Sequence, residues 1–406
     1  MNPANPESLA PGTPRRLIEI LLVALRLGLS SFGGPVAHLG YFREEYVVAR
    51  KWLDERSYAD LVALCQFLPG PASSQLGIAV GITRGGLLGG VAAWLGFTLP
   101  SAALLILFAY GVTEFDDLVD EDWLRGLKTV AVAVVALAVW GMAKNLTPDK
   151  QRATIAVLSC IALLFWSHPI ANIVVIAVAG LVGWRLLRGQ TDSIDPTTQK
   201  ISIGRWLALT CLAVFLLLLI GTPIIRQVVE NEWLNLFDGF YRSGSLVFGG
   251  GHVILPLLQA EVVPQGWTTK DQFIAGYGAA QAVPGPLLTF SAYLGTVNGG
   301  WTGGLFALGA IFLPSFLLVI GILPFWDNLR SHTSFRAALM GINAAVVGLV
   351  GAALYDPVWT TAITSREDLA LGAAAFGLLT FWKWPPWLVV LLSAIGAAGL
   401  SLLQSG

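Results

Sequence analysis

Long runs of apolar, uncharged residues, separated by short polar segments, make up most of this chain. A membrane-spanning helix needs about 20 mostly apolar residues, and several runs are long enough to supply at least one. These runs are Gly85 to Thr113, Ala153 to Trp184, Trp206 to Ile225, Ala337 to Tyr355 and Trp384 to Gly406, with a further helix predicted over 128–144. The longest uncharged run, Gln272 to Trp326, predicts more than one crossing. His168-Pro169 predicts a turn that divides the run from Ala153 into two helices.

The two halves of the chain repeat each other at an offset of roughly 215 residues. The matched segments pair glycine, proline and glutamine positions, which composition alone does not explain. Three pairs stand out: Phe32-Gly33-Gly34-Pro35 with Phe248-Gly249-Gly250-Gly251, Gln66-Phe67-Leu68-Pro69-Gly70-Pro71 with Gln281-Ala282-Val283-Pro284-Gly285-Pro286, and Leu99-Pro100-Ser101 with Leu313-Pro314-Ser315. The sequence therefore predicts an internal duplication of a membrane unit.

Basic residues indicate that the two copies have opposite orientations. The loop after the first Gly-rich motif carries four basic residues, whereas its counterpart, Gly251 to Asp271, carries only Lys270. Short loops rich in Lys and Arg face the cytoplasm, so equivalent loops are expected on opposite sides. Trp206 to Ile225 has no partner in the first half and supplies the odd crossing that inverts the second copy. Inverted repeats of this kind are typical of secondary transporters.

The predicted fold is an all-α polytopic membrane protein with two inverted-topology repeats and broken or re-entrant helices at the Gly-rich and Pro-Gly-Pro motifs. A straight crossing at the Pro-Gly-Pro segments is the alternative, because charge counts bias topology without deciding it. The expected organisation is a polar N-terminal tail (1–13), a first repeat (14–188), a polar linker (189–203), a connecting transmembrane helix (204–226) and a second, inverted repeat (227–406).

The composition excludes several classes of protein. The chain is 55% hydrophobic and 12% charged, whereas soluble proteins are about 25% charged. A formal net charge of −1 argues against a nucleic-acid partner, since phosphate binding requires clustered positive charge. Cys65, Cys160 and Cys211 lie in apolar runs without a CxxC pair, so neither a disulfide framework nor a zinc site is indicated. The polar, proline-rich start predicts no signal peptide.

Arg26 is the only basic residue of the first apolar segment, and Arg242 occupies the equivalent position in the second half. A charge inside a membrane segment costs at least about 2.5 to 3.5 kcal/mol, so such residues usually face a cavity and mark ion pathways. The alternative is a snorkelling or salt-bridged arginine, with Glu19 a partner for Arg26 and Asp238 for Arg242. The shared repeat position favours substrate binding by both arginines.

Half-helices that begin at the last proline of each Pro-Gly-Pro segment would point free backbone amides into the membrane. Proline at a first turn lacks only an N–H that would be unpaired anyway, and helix N-termini bind anions through their free amides. A kink in an ordinary spanning helix is the alternative. The glutamines before these segments would bond either the substrate or the broken backbone, and the sequence does not separate the two roles. The substrate-binding candidates are Gly33, Gly34, Gly249, Gly250, Gln66, Gln281, Pro71, Ser73, Ser74, Pro286 and Thr289.

Two acidic residues and two histidines are candidates for coupling or gating. Glu45 and Glu261 match in the repeat and would form charge pairs, with a solvated loop face as the alternative reading. His38 and His252 lie near the two Gly-rich motifs but do not occupy matching positions. The mismatch argues against a paired metal site or proton relay.

The Gly-rich and Pro-Gly-Pro motifs resemble those of the chromate ion transporter family in its long, two-domain form. The resemblance rests on Phe-Gly-Gly-Pro-x-x-His (Phe32 to His38), Phe-Gly-Gly-Gly-His (Phe248 to His252) and both Pro-Gly-Pro segments, and it covers roughly 14–184 and 233–403. It implies a multi-pass protein of the bacterial inner membrane that exports chromate from the cytoplasm and confers chromate resistance. Some relatives are linked to sulfate.

The second copy departs from the first at two motif positions. Gly251 stands where the first copy has Pro35, and Leu288 stands where it has Ser73. The two half-sites are therefore not expected to be chemically equal.

Read without the resemblance, the residues also predict an anion transporter. Arginines, helix N-termini and hydroxyls are hydrogen-bond donors suited to a tetrahedral dianion, and the segments 61–83 and 272–326 contain no acidic residue that would favour a cation. The expected partners are a chromate- or sulfate-like oxyanion and the lipid bilayer, with no nucleic acid and no cofactor; a homodimer is left open. A carrier for sulfate or another oxyanion and an anion channel remain the alternatives. An enzyme is not expected, because the chain offers no nucleophile, metal or acid–base set.

Overall fold

The computed structural model describes residues 13–32, 34–114, 121–166, 170–190, 203–248, 251–326, 329 and 332–404. Within these ranges the chain is helical, with short 3-10 and π-helical turns and no β-strand. Three of the predicted substrate-binding glycines, Gly33, Gly249 and Gly250, lie outside the described residues, as does the predicted His168-Pro169 turn.

The helices in chain order are α1 (Pro14–Ser30), α2 (Gly34–Arg43), α3 (Glu55–Phe67), α4 (Ala72–Glu114), α5 (Glu121–Leu146), α6 (Lys150–Phe165), α7 (Ile170–Leu186), α8 (Arg205–Ile225), α9 (Glu232–Ser245), α10 (Ile254–Val262), α11 (Lys270–Ala282), α12 (Phe290–Ile322), α13 (Thr333–Ala353), α14 (Arg366–Thr380) and α15 (Pro386–Gln404). A π-helical turn, Glu44–Ala49, extends α2, and a 3-10 turn, Leu287–Thr289, precedes α12.

Five helical segments of the described chain are long and apolar enough to cross a membrane. They are Ala72–Thr113, Arg125–Leu146, Arg205–Ile225, Leu287–Phe325 and Thr333–Ala362. Two shorter apolar helices, Ala171–Leu186 and Pro386–Leu400, accompany them. The prediction of an all-helical chain with several candidate membrane spans is thus confirmed for the described residues.

The sequence fixes where the short helices of the two halves begin. Asp54 caps α3, and its carboxylate accepts a hydrogen bond from the Ser57 amide, which lowers the pKa of Asp54. Thr269, at the equivalent repeat position, caps α11 in a reciprocal capping box with Gln272. Such caps satisfy backbone donors that the first helical turn leaves free. Both helices have 13 residues, fewer than the roughly 20 that a full crossing requires.

Glycines interrupt the two longest helices at matching places. Gly86 in α4 has φ 69° and ψ −164°, and Gly300 in α12 has φ 62° and ψ −166°. This left-handed region is one that residues with a Cβ rarely adopt. Residues on the two sides of each interruption pack closely: a Cβ built on Gly81 would lie 2.3 Å from the Gly89 carbonyl oxygen, and one on Gly295 would lie 2.4 Å from that of Gly303.

The two halves also share the packing of their first helix. A Cβ on Gly28 of α1 would lie 2.7 Å from the Phe97 carbonyl oxygen in α4. The equivalent Gly244 of α9 approaches the Ile311 carbonyl oxygen in α12, where a Cβ would lie at 2.1 Å. The repeated sequence therefore builds repeated helix contacts.

The C-terminal helices of each half pack against the other half. In α5, Gly126 lies against Ser393 of α15, and in α13, Gly341 lies against Ala179 of α7. Helix α5 of the first half also contacts α14 of the second half, and α13 of the second half also contacts α6 of the first half. This exchange interlocks the two repeats, and small residues allow the close backbone approach on which helix association in membranes depends.

Helix α8 has no counterpart among the described helices of the first half. It packs on α9 and α12, and the buried Tyr241 hydroxyl donates a hydrogen bond to the Phe215 carbonyl oxygen at 3.0 Å. Its outer face exposes large apolar side chains such as Leu216 and Leu217. A face of this kind is suited to lipid.

Candidate functional site

Each Pro-Gly-Pro segment contacts the opposite repeat beside its Gly-rich motif. The Gly70 amide donates to the Val247 carbonyl oxygen at 2.5 Å, and the Gly285 amide donates to the Ser31 carbonyl oxygen at 2.9 Å. Ser31 and Val247 occupy equivalent positions, directly before Phe32 and Phe248. The two hydrogen bonds are therefore reciprocal across the repeats.

A second pair of reciprocal contacts involves the Leu-Pro-Ser segments. Gly70 has φ 126°, and a Cβ there would lie 3.0 Å from the Ser315 hydroxyl. Gly285 has φ 103°, and a Cβ there would lie 2.8 Å from the Ser101 hydroxyl. We call the region formed by Ser31, Gly70, Ser101, Val247, Gly285 and Ser315 the seam. Only glycine fits at Gly70 and Gly285, because both the backbone angle and the space exclude a Cβ.

On the first-repeat side, a helix N-terminus opens onto the seam. Helix α4 begins at Ala72 directly after Pro71, and its first helical bond runs from the Gln75 amide to the Pro71 carbonyl oxygen at 2.9 Å. The amides of the first turn consequently lack intrahelical partners. The buried Ser73 hydroxyl lies 3.3 Å from His38 Nδ1, whereas the buried Ser74 hydroxyl has no partner in the described chain.

The second-repeat side is built differently. After Pro286 the chain forms the 3-10 turn Leu287–Thr289 before α12 begins. The Thr289 hydroxyl donates to the Pro286 carbonyl oxygen at 2.7 Å. The predicted first-turn hydroxyl of this half is thus already used by its own turn, which agrees with the expectation that the two half-sites differ.

Gln75, which the sequence patterns did not single out, binds the broken backbone. Its Nε2 donates to the Pro69 carbonyl oxygen at 2.6 Å, and its side chain is fully buried. Of the two glutamines named from the motifs, Gln66 is exposed and Gln281 is half-buried, with the Gln281 Nε2 lacking a described partner. In the described chain Gln75 therefore bonds the broken backbone of the first repeat, and the roles of Gln66 and Gln281 stay predictions.

Several buried polar side-chain atoms in and around the seam have no hydrogen-bond partner within the described residues. Ser31 and Ser315 belong to the seam, and the others lie on α4 close to it in sequence. The atoms are Ser31 Oγ, Ser74 Oγ, Gln75 Oε1, Thr98 Oγ1 and Ser315 Oγ. A buried polar group left unsatisfied costs about 1 to 3 kcal/mol, so this grouping is suited to a polar ligand or water.

The two repeat-matched arginines each lie beside a repeat-matched glutamate. Arg242 Nη2 lies 2.8 Å from Glu261 Oε2, and Arg26 Nη1 lies 3.9 Å from Glu45 Oε2. The pairs differ in environment, because the Arg242 side chain is 16% exposed and that of Arg26 is 73% exposed. Both glutamates also contact a second arginine: Glu45 Oε1 lies 2.6 Å from Arg50 Nε, and Glu261 Oε2 lies 3.7 Å from Arg226 Nη1. Coupling or gating by Glu45 and Glu261 stays a prediction.

A carboxylate network surrounds Arg242. Its Nη2 also lies 2.8 Å from Oδ2 of the fully buried Asp238, which Arg226 Nη1 contacts at 2.5 Å. The salt-bridge alternative considered for Arg242 is therefore realised through Asp238. For Arg26 the partner considered was Glu19, but Glu19 pairs with Arg50 at 3.6 Å and Arg84 at 3.5 Å.

Arg242 also lines a small cleft between repeats. Ser243 and Glu261 also line it, as does Asn172 of α7. Within the described chain, the polar contacts of the Arg242 guanidinium go to carboxylates. The structure therefore brings Arg242 to a cleft, but it does not bring either arginine into hydrogen-bond contact with the seam.

The two histidines bond different groups, as their unmatched positions predict. His38 is buried, with Nε2 3.1 Å from the Ser31 carbonyl oxygen and Nδ1 near Ser73. His252 Nδ1 lies 2.8 Å from the Tyr277 hydroxyl. His38 therefore connects the seam to the start of α4, which no repeat pattern indicates.

Comparison with known proteins identifies the chain as a transporter. The family model for chromate transporters matches residues 18–184 and 234–400. A chromate transport protein of Pseudomonas aeruginosa is 28% identical, with 98% of this chain and 94% of the relative covered. A chromate transport protein of Cupriavidus metallidurans is 25% identical over 87% of this chain and 86% of the relative, and an uncharacterized transporter of Methanocaldococcus jannaschii is 28% identical over 93% of each.

No solved structure matches the chain. The family model, in contrast, matches most of both halves in two separate segments, which agree closely with the limits of the sequence resemblance. With its all-helical architecture and candidate membrane spans, the chain belongs to the chromate transporter family.

Proposed function

We propose that this protein exports chromate from the bacterial cytoplasm across the inner membrane. The observation that carries the proposal is the seam, where reciprocal contacts join the repeats beside buried hydroxyls that have no partner among the described residues. Family membership supports chromate as the substrate, since relatives from Pseudomonas aeruginosa and Cupriavidus metallidurans are named chromate transport proteins. Chromate is a tetrahedral dianion, so it accepts hydrogen bonds from every direction.

In this proposal the anion lies at the seam, against the N-terminus of α4. The free amides of its first turn and the positive end of the helix dipole would favour a negative charge. Ser74, Ser31 and Ser315 would donate their unpartnered hydroxyl hydrogens to the oxygens of the anion. The Gly70 conformation keeps the backbone close to these groups.

The arginines supply the remaining positive charge. We infer that Arg242 exchanges its glutamate partner for the anion during transport, and that Arg26 does so in the other repeat. Glu261 and Glu45 would then act as gates that hold each arginine while the site is empty. The Arg242–Glu261 pair is largely buried, whereas Arg26 in the equivalent pair is exposed. This difference suits a carrier in which the two sides open in turn.

The repeats are proposed to be inverted, with re-entrant hairpins at the Pro-Gly-Pro segments. Support comes from the unpaired α8, from the 13-residue α3 and α11 and from the interlocked exchange of helices between the halves. The larger number of basic residues in the loop of the first repeat supports a cytoplasmic position for that loop and a periplasmic one for its counterpart.

A labelling experiment tests the inversion. Ala49 and Gln265 are exposed and occupy equivalent positions in the two repeats. In a background without Cys65, Cys160 and Cys211, we expect Ala49→Cys to react with an impermeant maleimide only from the cytoplasm and Gln265→Cys only from the periplasm. Labelling of both cysteines from one side would contradict the inverted arrangement.

A substitution at the start of α4 tests the seam. Ser74→Ala is expected to raise the apparent KM for chromate about tenfold to a hundredfold, because a hydrogen bond to a charged partner contributes about 1.5 to 3 kcal/mol. Thr289→Val is the matched control, since the Thr289 hydroxyl is bonded to Pro286 and its loss should leave KM unchanged. Labelled-chromate transport in vesicles measures both values. An unchanged KM in Ser74→Ala would remove this hydroxyl from the site.

Chromium content of cells tests export itself. Cells that produce the protein are expected to accumulate less chromium than cells with an empty vector when both are exposed to chromate, and to grow at higher chromate concentrations. Sulfate content measured in parallel separates a chromate exporter from a general oxyanion carrier. Higher chromium content in the producing cells would indicate uptake and overturn the proposed direction.

A further inference from the structure

A second polar cavity lies away from the seam. The Gly86 break divides α4 into a first arm before it and a second arm after it, and the cavity lies where α1 begins and the first arm ends. Its volume is about 200 Å³, and it is lined by Arg16, Trp52, Leu53, Val80, Thr83 and Arg84. One water molecule needs only about 10 to 15 Å³ on this measure. The cavity therefore has room for a group much larger than a single water.

Among the described residues at and near this cavity, the paired arginines outnumber the carboxylates that they contact. Arg84 and Arg50 both pair with Glu19, at 3.5 and 3.6 Å, and Arg16 Nη1 donates to the Arg84 carbonyl oxygen at 3.4 Å. Glu45, the other nearby carboxylate, pairs with Arg50 and Arg26. The guanidinium groups of Arg26, Arg50 and Arg84 thus share two carboxylates. The buried Arg84 Nε has no partner in the described chain.

An aromatic ring holds two of these arginines in place. The Arg84 Cζ lies 4.6 Å from the centre of the Trp52 ring, and the Arg50 Cζ lies 5.6 Å from it. Trp52 is itself stacked on the buried Tyr46, with 12° between the ring planes. Stacking of this kind stabilises a guanidinium and fixes its orientation while leaving its edge free to bind an anion.

The second repeat provides an internal comparison. Trp267 matches Trp52, but Glu232 stands at the position of Arg16 and Asn298 at that of Arg84. The second copy shares the helix packing of the first without these arginines. The fold that the two copies share therefore does not require the positive charge, which indicates a function specific to the first repeat.

Apolar side chains next to the cavity face outward. Ile18 and Leu22 on α1 are 55% and 57% exposed, and Leu87 and Leu88, which follow the Gly86 break, are 44% and 63% exposed. Helices α1 and α4 thus carry both these apolar side chains and the arginines Arg16 and Arg84 that line the cavity. A ligand with a phosphate and apolar chains would match both parts, whereas a free anion would match only the cavity.

We propose that this cavity binds the phosphate of an anionic phospholipid headgroup, whose acyl chains lie along α1 and the second arm of α4. Guanidinium groups bind phosphate oxygens through paired, charge-assisted hydrogen bonds. Basic pockets between helices at the cytoplasmic side are suited to lipid headgroups. The bound lipid would tie the start of α1 to the Gly86 break and so stabilise the first repeat.

Thermal stability of the purified, detergent-solubilised protein tests the proposal. Phosphatidylglycerol is expected to raise the unfolding temperature in a saturable manner, and phosphatidylcholine and millimolar inorganic phosphate are expected to have little effect. Arg84→Gln should weaken the apparent affinity for phosphatidylglycerol at least tenfold, and Arg16→Gln should do the same. Arg188→Gln is the matched control, because Arg188 also stacks on a tryptophan, Trp184, at 4.5 Å, and its loss should leave the affinity unchanged.

Three results would overturn the proposal. Equal stabilisation of the wild-type protein by phosphatidylglycerol and phosphatidylcholine would exclude recognition of the headgroup charge, even if neither arginine variant folds. Stabilisation by inorganic phosphate alone would assign the cavity to a free oxyanion. An equal loss of affinity in Arg188→Gln would mean that the lipid responds to overall charge and not to this cavity.

Discussion

Arg242→Gln is expected to abolish chromate resistance, and the loss should persist when Glu261 is neutralised at the same time. The single substitution leaves the fully buried Asp238 and its neighbour Glu261 with Arg226 as the one cation that contacts them among the described residues. Breaking a buried ion pair by removing one partner destabilises a protein by about 3 to 5 kcal/mol. Reduced abundance of the single variant therefore does not distinguish a folding role from a transport role.

The double variant Arg242→Gln/Glu261→Gln separates the two roles. It removes one positive and one negative charge together, so abundance in the membrane and the gel-filtration profile should recover towards those of the wild type. Transport should not recover, because the guanidinium that balances the dianion is still missing. Recovery of both abundance and transport would show that Arg242 serves folding alone.

Arg226→Gln is the matched control for this experiment. Arg226 contacts the same Asp238 and lies near the same Glu261, but it has no counterpart in the first repeat. Its loss is expected to lower stability while transport per folded molecule stays close to that of the wild type. In the first repeat, Arg26→Gln should abolish transport with little loss of stability, since its ion pair is long and the Arg26 side chain is largely exposed. The double variant Arg26→Gln/Arg242→Gln should be little worse than either single variant, because both arginines act on one ligand.

Gly70→Ala is expected to inactivate the protein, as is Gly285→Ala. At Gly70 a Cβ would lie 2.3 Å from Gln75 Nε2 and 3.0 Å from the Ser315 hydroxyl, and at Gly285 it would lie 2.8 Å from the Ser101 hydroxyl. A residue other than glycine in a left-handed conformation costs about 1 to 2 kcal/mol, and overpacking adds about 1 to 3 kcal/mol. At Gly70 the added methyl group would displace Ser315, which we assign to the anion, and at Gly285 it would displace Ser101 within the seam.

Gly266→Ala provides the control for backbone strain alone. Gly266 has φ 73°, with no heavy atom within 4 Å of a built Cβ. The Gly266→Ala variant should therefore bear the free-energy cost of an alanine in a left-handed conformation without filling the seam. Its chromate transport per folded molecule should stay near that of the wild type. Loss of transport in Gly266→Ala equal to that in Gly70→Ala would mean that strain, and not the seam, explains the effect.

The repeat pattern in the sequence identified which segments of the two halves match, but it did not show which of them contact each other. Matching of Arg26 with Arg242 and of Glu45 with Glu261 was visible in the sequence, and each arginine does lie beside the glutamate of its own repeat. The contacts of Gly70 with Val247 and of Gly285 with Ser31 join different repeats. Pairing across repeats depends on how two packed units dock, which matching within each unit does not specify.

The residues that sequence reasoning missed have identifiable reasons. Ser101 and Ser315 were visible as part of the repeated Leu-Pro-Ser segment, but a serine after a proline has no distinctive signal for function. Gln75 corresponds to Phe290 in the second copy, so the repeat gave no reason to select it. Its role becomes clear only from its hydrogen bond to the Pro69 carbonyl oxygen. Side-chain bonds to a broken backbone depend on the three-dimensional path of the chain.

Uptake of labelled chromate into everted inner-membrane vesicles tests the central claim most directly. Everted vesicles expose the cytoplasmic face, so an exporter drives chromate inward. With the membrane potential controlled and sulfate added as a competitor, we predict saturable chromate uptake by vesicles that contain the wild-type protein. We also predict background uptake by vesicles that contain Arg242→Gln/Glu261→Gln at equal abundance. Chromate uptake no faster than in vesicles without the protein, under either sign of the membrane potential, would contradict the assignment of this protein as a chromate exporter.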